Sequence, residues 1–389
     1  MRPLREATIC AMGAKDQPHG VVTPPIYQTS TFRFNSTEEV AAYARGESDK
    51  FLYTRYGNPT WEHPESTLAT LEHGARAFLF ASGSAATAAW CHAHLRPGDR
   101  LVAASQLYGG TAYFLQQYLK PAGIIIQQVN FADLSQVEAA LRGARACWFE
   151  TPTNPTVRVV DGPAVAALCR RHGVLSAVDN TFATPINQKP LDCGIDWVMH
   201  STTKYLNGHN DLIGGVLIAS KDVDPEPVAA ARRGIGGIMD PHAAFLLDRG
   251  LKTLALRVER HNSNALSLAL YLGTKTGVAH VHYPGLPEDP GHAVAKRQMR
   301  GFGGVLAIDL AGGYEAVARF ADRLRIINNA ASLGGVESLI SLPILTSHVH
   351  ASEDERREAG VTDGTARISV GIEDIDDLKA DVDQALSAI

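Results

Sequence analysis

Residues 179–211 read DNTFATPINQKPLDCGIDWVMHSTTKYLNGHND. In this stretch an acid, Asp179, follows the apolar run 174–178. A lysine, Lys204, follows a second apolar run, 197–200, and stands in a turn rich in hydroxyl groups. Both runs have the length and composition of short buried strands. Open α/β sheets bind their ligands at the carboxyl ends of strands, so we expect the acid and the lysine to serve one site.

An acid and a lysine in this arrangement are typical of a site for pyridoxal 5'-phosphate (PLP). Lys204 would bond covalently to the aldehyde of PLP, Asp179 would keep the pyridine nitrogen protonated, and the hydroxyls of Ser201 and Thr203 would bind phosphate oxygens. Taken alone, a Ser-Thr-Thr-Lys run is more often a solvated turn, and an acid after a strand is often a helix cap. The PLP interpretation therefore depends on the other motifs of the chain.

From about residue 61 to 250, apolar runs alternate with helical patterns, which predicts a doubly wound α/β sheet. The seven predicted strands are Ala77–Ala81, Leu101–Ala104, Ile124–Val129, Ala146–Glu150, Val174–Val178, Trp197–His200 and Gly215–Ala219. The connection from Lys204 to Gly215 is too short for a parallel crossover, so the last strand is expected to be antiparallel. We predict an N-terminal arm over 1–60, a cofactor-binding domain over 61–250 and a smaller α/β domain over 251–389, entered by a long helix from Leu254.

Composition limits the classes of partner. The 389-residue chain is 45% apolar and can bury a large core, and its formal net charge of -5 comes without a long run of one sign. Nucleic acid and acidic membranes are therefore not expected as partners, and no stretch has the roughly 20 apolar residues of a membrane helix. The five cysteines show no CxxC spacing, which predicts a reduced, cytoplasmic protein without a zinc site. Six histidines without a metal-ligand pattern are interpreted as structural: His92, His94, His200, His209, His348 and His350.

Two further patterns suggest anion binding. Small residues follow the first predicted strand and open a helix, where the backbone N–H groups of Gly83 and Ser84 could bind a phosphate. Simple helix capping by Ser82 or Ser84 is the alternative. Tyr53 and Arg55 lie two residues apart, so in an extended segment both could reach one anion, although a surface turn would also explain them.

The segment HSTTKYLNGHND closely resembles the cofactor-lysine signature of the transsulfuration enzymes, the Cys/Met-metabolism family of fold-type I PLP enzymes. The Glu-x-Pro-x-Asn-Pro run at 150–155 and the Tyr-x-Arg pair at 53–55 are similar to family motifs as well. The resemblance covers roughly residues 20 to 375. It implies a mostly parallel seven-stranded sheet, and a homotetramer built as a dimer of dimers in which Tyr53 and Arg55 reach the cofactor phosphate of the neighbouring subunit.

The resemblance also assigns residues to the cofactor and the substrate. Tyr108 would stack on the pyridine ring and assist Lys204 in proton transfer, and Asn154 would donate to the phenolic oxygen of PLP. Arg367 stands between alternating apolar residues, and its planar guanidinium suits a carboxylate, although a surface arginine on an edge strand is the alternative. By resemblance Arg367 binds the α-carboxylate of the amino acid, with Ser338 nearby. Glu337 could meet a distal ammonium group.

Members of this family eliminate or replace a group at the β or γ carbon of cysteine- and homoserine-derived amino acids. An aminotransferase on the same fold and a catalytically idle binding protein are the alternatives. Methionine γ-lyases usually carry a cysteine where this chain has Gly110. The charged residues that relatives use for the far end of cystathionine are replaced by Leu52 and Tyr113. We therefore expect a substrate with a short or uncharged γ-substituent, such as an O-acylhomoserine, homocysteine or methionine.

Overall fold

All seven predicted strands lie in one mixed sheet of the computed structural model, which describes residues 4–14, 20–347, 349 and 352–387. They are β1 (Arg76–Phe80), β2 (Arg100–Ala104), β3 (Ile125–Val129), β4 (Ala146–Glu150), β5 (Leu175–Asp179), β6 (Trp197–Ser201) and β7 (Gly215–Ala219). The strand order is β1-β7-β6-β5-β4-β2-β3. Strands β2 to β6 pair in parallel, whereas β7 is antiparallel to both β6 and β1. The predicted antiparallel last strand is thus confirmed.

The centre of this sheet is covered on both faces, which explains why its strands are continuous apolar runs rather than alternating ones. All residues of β4 and β7 are buried. Trp90, on a helix that packs on the sheet, contacts Trp148 of β4 with ring centroids 5.1 Å apart. This rigid packing fixes the strand ends that carry the candidate site.

Helices connect the strands and cover the sheet. In the described part of the chain they are α1 (Glu6–Met12), α2 (Thr37–Ala44), α3 (Pro59–Leu71), α4 (Gly83–His94), α5 (Gly109–Phe114), α6 (Leu134–Leu141), α7 (Gly162–His172), α8 (Thr184–Asn187), α9 (Glu226–Ile235), α10 (Pro241–Leu251), α11 (Leu254–Leu272), α12 (His292–Gln298), α13 (Gly313–Arg323), α14 (Glu353–Ala359) and α15 (Ile375–Leu386). Asp161 caps α7 by accepting from Ala164 N at 3.1 Å, and Gly173 ends that helix in a left-handed conformation.

A second, five-stranded sheet follows in the order β10-β11-β12-β9-β8. Its strands are β8 (Val278–His282), β9 (Val305–Leu310), β10 (Asn328–Asn329), β11 (Leu339–Ser341) and β12 (Thr365–Ser369). The long helix predicted from Leu254 is α11. Its first half, with Val258, packs in the cluster beside β7, and its second half, with Ala265, packs in the cluster beneath β9. The helix therefore joins two hydrophobic cores, while the division at residues 60 and 250 stays a prediction.

Candidate active site

Lys204 lies in the turn between β6 and β7, and its amine points toward the second sheet. Its Nζ donates to the Oγ of Ser332 at 2.9 Å. Burial and the neighbouring Arg367 guanidinium lower the pKa of Lys204 to about 8, while the Asp179 carboxylate acts in the opposite direction. A lysine that loses its proton this readily is suited to nucleophilic attack and to proton transfer near neutral pH.

Asp179 is the last residue of β5, as the sequence predicted. Its Oδ1 accepts a hydrogen bond from the Thr181 backbone N at 3.0 Å and another from the Thr181 hydroxyl. Burial raises the pKa of Asp179, although the Thr181 hydrogen bonds and the charges of His200 and Lys204 oppose that rise. A buried carboxylate in this state is stabilised by a cation, and a protonated pyridine nitrogen is such a group.

The Glu150 carboxylate lies next to Asp179, and it is a residue of this site without a role predicted from the sequence. Glu150 ends β4 and pairs in register with Asp179 of β5. Its Oε2 accepts from the Tyr108 backbone N at 2.8 Å and its Oε1 from the Asn154 backbone N at 3.3 Å. Burial and the Asp179 carboxylate raise the pKa of Glu150 to about 8. The signal available in the sequence was an acid that ends a strand of buried apolar residues next to Asp179.

Helix α4 begins at Gly83, beside the end of β6. Ser82 caps the helix by accepting from Ala85 N at 3.0 Å. This cap uses the N–H of Ala85 and leaves the N–H groups of Gly83 and Ser84 available. A Cβ at Gly83 would lie 3.2 Å from the Cβ of Ser201, which shows how closely the helix start approaches the residue before the lysine turn. The first N–H groups of a helix have no partner within it, so those of Gly83 and of the exposed Ser84 can donate hydrogen bonds to a phosphate here.

The other predicted phosphate ligand of the lysine turn, Thr203, is held by the backbone. Its hydroxyl donates to Gly214 O at 3.2 Å and accepts from Gly214 N at 3.0 Å. Ser201 is fixed through its backbone N, which donates to the Thr181 hydroxyl at 2.9 Å. Ser201, at the end of β6, and Thr203, in the turn, are therefore both positioned by neighbours at the same sheet edge.

Tyr108 precedes helix α5 and is 51% exposed. A Cβ at Gly110 would come within 2.5 Å of its ring. The glycine therefore lets the ring lie directly against the backbone of the following turn. A larger residue at position 110 would require the ring to move.

Arg367 lies in β12 and reaches across to the large sheet. Its Nη1 donates to Asn154 Oδ1 at 2.8 Å and its Nη2 to Ser332 O at 2.8 Å. Burial lowers the pKa of Arg367 to about 10, and its Nε is buried without a hydrogen-bond partner among the described residues. A buried guanidinium with an unused donor is suited to bind a carboxylate.

Ser332, rather than the predicted Ser338, lies between Lys204 and Arg367. Ser332 joins the Lys204 amine to the Arg367 guanidinium. Ser338 is fully buried, and its hydroxyl donates to Glu373 Oε2 at 2.8 Å and accepts from Gly371 N at 2.8 Å. Its hydroxyl is thus engaged within the fold, so the geometry favours Ser332 as the serine beside the arginine.

Three other predicted residues lie at the surface of this site or away from it. Glu337 is exposed and accepts from the Asn210 amide at 2.9 Å. Tyr53 is 40% exposed. Arg55 donates to Arg233 O at 2.7 Å, at the end of helix α9. The contacts of Arg55 are thus with the arm and α9 of its own chain, and its reach toward a neighbouring subunit stays a prediction.

The histidines interpreted as structural have protein partners where the structure describes them. His200 is buried, with Nε2 at 2.6 Å from Glu72 Oε1, and His94 packs against tryptophan rings. His348 and His350 lie outside the described residues. Within the described ranges, no group of three or more His, Cys, Asp or Glu side chains is placed to hold a metal ion. Over the same ranges no helix is both long and apolar enough to cross a membrane.

Comparisons with known proteins identify the family of this chain. The family model described as Cys/Met metabolism PLP-dependent enzyme matches residues 6–387. The chain belongs to this family.

Relatives and solved structures match the Cys/Met metabolism chain over nearly all of its length. It is 42% identical to the L-methionine gamma-lyase of Pseudomonas putida over 379 residues, 97% of this chain and 95% of that protein. It is 40% identical to a cystathionine beta-lyase of Lactococcus lactis subsp. cremoris, covering 95% of each. The crystal structure of a cystathionine gamma-lyase from Lactobacillus plantarum complexed with L-serine superimposes with a TM-score of 0.94 at 38% identity, covering 99% of both chains.

Family membership establishes several of the sequence-based expectations. The chain is an enzyme, its cofactor is PLP, and its fold is the α/β fold of fold-type I PLP enzymes. Its reaction type is that of a PLP-dependent carbon–sulfur lyase or γ-replacement enzyme, and not the aminotransferase alternative. The residues described above fit PLP: an amine for the aldehyde, an acid for the pyridine nitrogen, and a helix start with hydroxyl groups for the phosphate.

Proposed function

We propose that this enzyme eliminates or replaces the γ-substituent of an amino acid whose side chain is short or uncharged at its far end. O-acylhomoserine, homocysteine and methionine are the substrates of this kind. The observation that supports this proposal most directly is the series of contacts Lys204–Ser332–Arg367, which places an amine and a guanidinium on either side of one serine. This spacing suits the amine and the carboxylate of one α-amino acid.

Each residue has a definite task in this proposal. Arg367 binds the α-carboxylate, and because it donates to Asn154 Oδ1, the amide nitrogen of that side chain would be available to donate to the phenolic oxygen of PLP. Ser332 holds the Lys204 amine close to the substrate. Asp179 keeps a proton on the pyridine nitrogen, and Tyr108 covers the ring.

Lys204 is the proton carrier of the reaction. PLP, when bound, supplies an electron sink that stabilises negative charge at the α carbon. With PLP bound, the Lys204 amine would be positioned to remove the α proton of the substrate and to protonate the group that leaves the β or γ carbon. The lowered pKa of Lys204, about 8, leaves part of the amine unprotonated near neutral pH, as a general base requires.

The proposed preference for a short or uncharged substituent rests on two positions where relatives have charged residues and this chain does not. Leu52 stands where relatives commonly have an acid, and Tyr113, where γ-lyases have an arginine, is a 62% exposed aromatic. The relatives named methionine gamma-lyase, cystathionine beta-lyase and cystathionine gamma-synthase are 38–42% identical to this chain. The names of these relatives therefore do not indicate which substrate this enzyme prefers, and the proposal is based on the residues at positions 52 and 113 instead.

The proposal includes an assembly. Tyr53 and Arg55 would bind the phosphate of PLP in a neighbouring subunit, so that the arm 1–60 completes a site formed by the domains 61–250 and 251–389. A homotetramer made of two such dimers, located in the cytoplasm, is the form we propose.

A substrate panel tests the function directly. Purified enzyme loaded with PLP is incubated with cystathionine, methionine, homocysteine, cysteine and O-acylhomoserines, each with and without an added thiol. Release of a keto acid reports elimination, and a new thioether reports replacement. We expect kcat/KM to be highest for an O-acylhomoserine, homocysteine or methionine, and a tenfold preference for cystathionine would overturn the proposal.

A further inference from the structure

The Glu150 carboxylate ties together two loops that approach the site from different strands. One oxygen accepts from the backbone N of Tyr108, in the loop after β2, at 2.8 Å. The other accepts from the backbone N of Asn154, in the loop after β4, at 3.3 Å. The side chain is 5% exposed. A single buried carboxylate thus sets the spacing between these two loops.

Both loops carry groups that face the cofactor in the proposed function. Tyr108 presents its ring, and Asn154 presents an amide whose oxygen already accepts from Arg367 at 2.8 Å. Side chains that meet a ligand act well only when other groups hold them within a fraction of an ångström. The backbone atoms next to both side chains are held by Glu150.

The contribution of Glu150 to folding stability does not explain why an acid stands at this buried position. Burying a carboxylate costs free energy unless its partners compensate, and here a second carboxylate, Asp179, ends the adjacent strand in register. An apolar residue would complete the buried strand β4 without that cost. The acid is therefore better explained by the two loops that it holds than by the packing of the sheet.

We propose that Glu150 is a positioning residue, which holds the Tyr108 ring and the Asn154 amide in register with PLP by accepting the backbone N–H of each loop. The proposal rests on the proposed roles of Tyr108 and Asn154. It does not depend on which amino acid is the substrate.

Two substitutions of Glu150 remove its acceptor oxygens in part or completely, and a third variant at another residue provides a control. Glu150→Gln keeps one acceptor oxygen and replaces the other with a donor, whereas Glu150→Ala removes both. Asp381→Asn is the matched control. Asp381 is a buried carboxylate on helix α15 that accepts hydrogen bonds from the backbone N–H groups of Arg325, Ile326 and Ile327 at 2.8 to 3.0 Å, next to Val382 of the hydrophobic core of the second sheet.

Three quantities are measured on each variant: the visible circular dichroism of bound PLP, the dissociation constant of PLP and the split between kcat and KM. For Glu150→Gln we expect a weaker dichroism band, looser PLP binding and a kcat lowered about tenfold or more with little change in KM. Glu150→Ala should weaken the dichroism band and PLP binding further and lower kcat more. Asp381→Asn should lower the melting temperature and leave the dichroism and kcat unchanged.

The proposal is overturned if both Glu150 variants keep the wild-type dichroism and kcat, or if they lose only thermal stability as Asp381→Asn does. It is also overturned if neither variant accumulates as a folded chain, since Glu150 would then be needed for folding. The dichroism and the PLP dissociation constant are measured without substrate. A wrong substrate class would therefore show in the panel above and leave these two readouts intact.

Discussion

The Lys204 amine lies 2.9 Å from the Ser332 hydroxyl, so the turn after β6 of the large sheet meets the loop before β11 of the small one. The same serine offers its carbonyl oxygen to Arg367. Ser332 also has a φ of 151°, in a region that side chains rarely adopt. A serine held in this way, between an amine and a guanidinium, is expected to act on the substrate.

Replacing Ser332 should affect kinetics, whereas replacing Ser338 should affect stability. For Ser332→Ala we expect kcat/KM to fall roughly 10- to 150-fold, the equivalent of one hydrogen bond to a charged group worth about 1.5–3 kcal/mol. Ser338→Ala removes the hydroxyl partner of Glu373 Oε2 and of the Gly371 N–H, which should cost about 1–3 kcal/mol of folding free energy. Steady-state kinetics and denaturant unfolding of both variants separate the effects. The reverse pattern would return the substrate role to Ser338.

Lys204 should be the lysine that carries PLP. The wild-type protein is expected to be yellow, and borohydride should fix the cofactor on the peptide that contains Lys204. Lys204→Met should lose both properties. Lys189→Met is the control, because Lys189 is also buried but donates to Pro185 O at 2.6 Å and pairs with Glu6. Cofactor fixed to another lysine in Lys204→Met, detected by peptide mapping, would contradict the assignment.

The stability of the PLP-free enzyme should rise with pH because of Lys204. Burial lowers the pKa of this lysine from its ordinary value of 10.5 to about 8. Between these two values the unfolded chain binds more protons than the folded one, so the free energy of unfolding increases as pH rises. At full extent the gain is on the order of 3 kcal/mol.

Lys204→Met removes the titrating group and should flatten this rise. Urea unfolding of PLP-free wild type and of the variant at pH 8 and pH 10 measures the difference. Equal slopes for the two proteins would show that the amine titrates alike in the folded and the unfolded chain.

The sequence predicted the large sheet well because its signals are local. Each strand is a short apolar run between turn residues, and all seven were placed within one residue of their observed bounds. The antiparallel β7 followed from the short connection after Lys204. The residues at strand ends, such as Asp179, were identified for the same reason.

Contacts between distant segments were not predictable in this way. Ser332 and Ser338 stand in one short motif, and only the fold shows that Ser338 faces Glu373 while Ser332 faces Lys204. An acid at the end of an apolar strand, such as Glu150, is a common pattern. Its proposed role follows only from its contacts with the backbone N–H groups of two loops, which the sequence does not reveal. The proposed reach of Arg55 toward a neighbouring subunit also stays a prediction, because its hydrogen bonds here are with Arg233 and Tyr56 of its own chain.

Two inactive variants should complement each other if sites are shared between subunits. Arg55→Ala would damage the phosphate site of a neighbour, and Lys204→Ala would destroy the site in its own chain. A mixed dimer then has one intact site, so mixing the two proteins under conditions of subunit exchange should restore part of the activity. Labelled subunits verify the exchange. Verified exchange with no recovery would show that Arg55 serves its own chain.

The substrate preference should respond to a charge at position 52. The Leu52 side chain is partly exposed, and its backbone O accepts from Phe32 N at 3.1 Å, so a substitution keeps the local backbone pairing. Leu52→Glu supplies an acid for the distal ammonium of cystathionine, and one hydrogen bond to a charged group corresponds to roughly a 10- to 150-fold gain. Leu52→Gln, of the same shape without the charge, is the control. We expect kcat/KM for cystathionine relative to an O-acylhomoserine to rise in Leu52→Glu and to stay near the wild-type ratio in Leu52→Gln. Equal ratios in both variants would mean that position 52 does not face the distal end of the substrate.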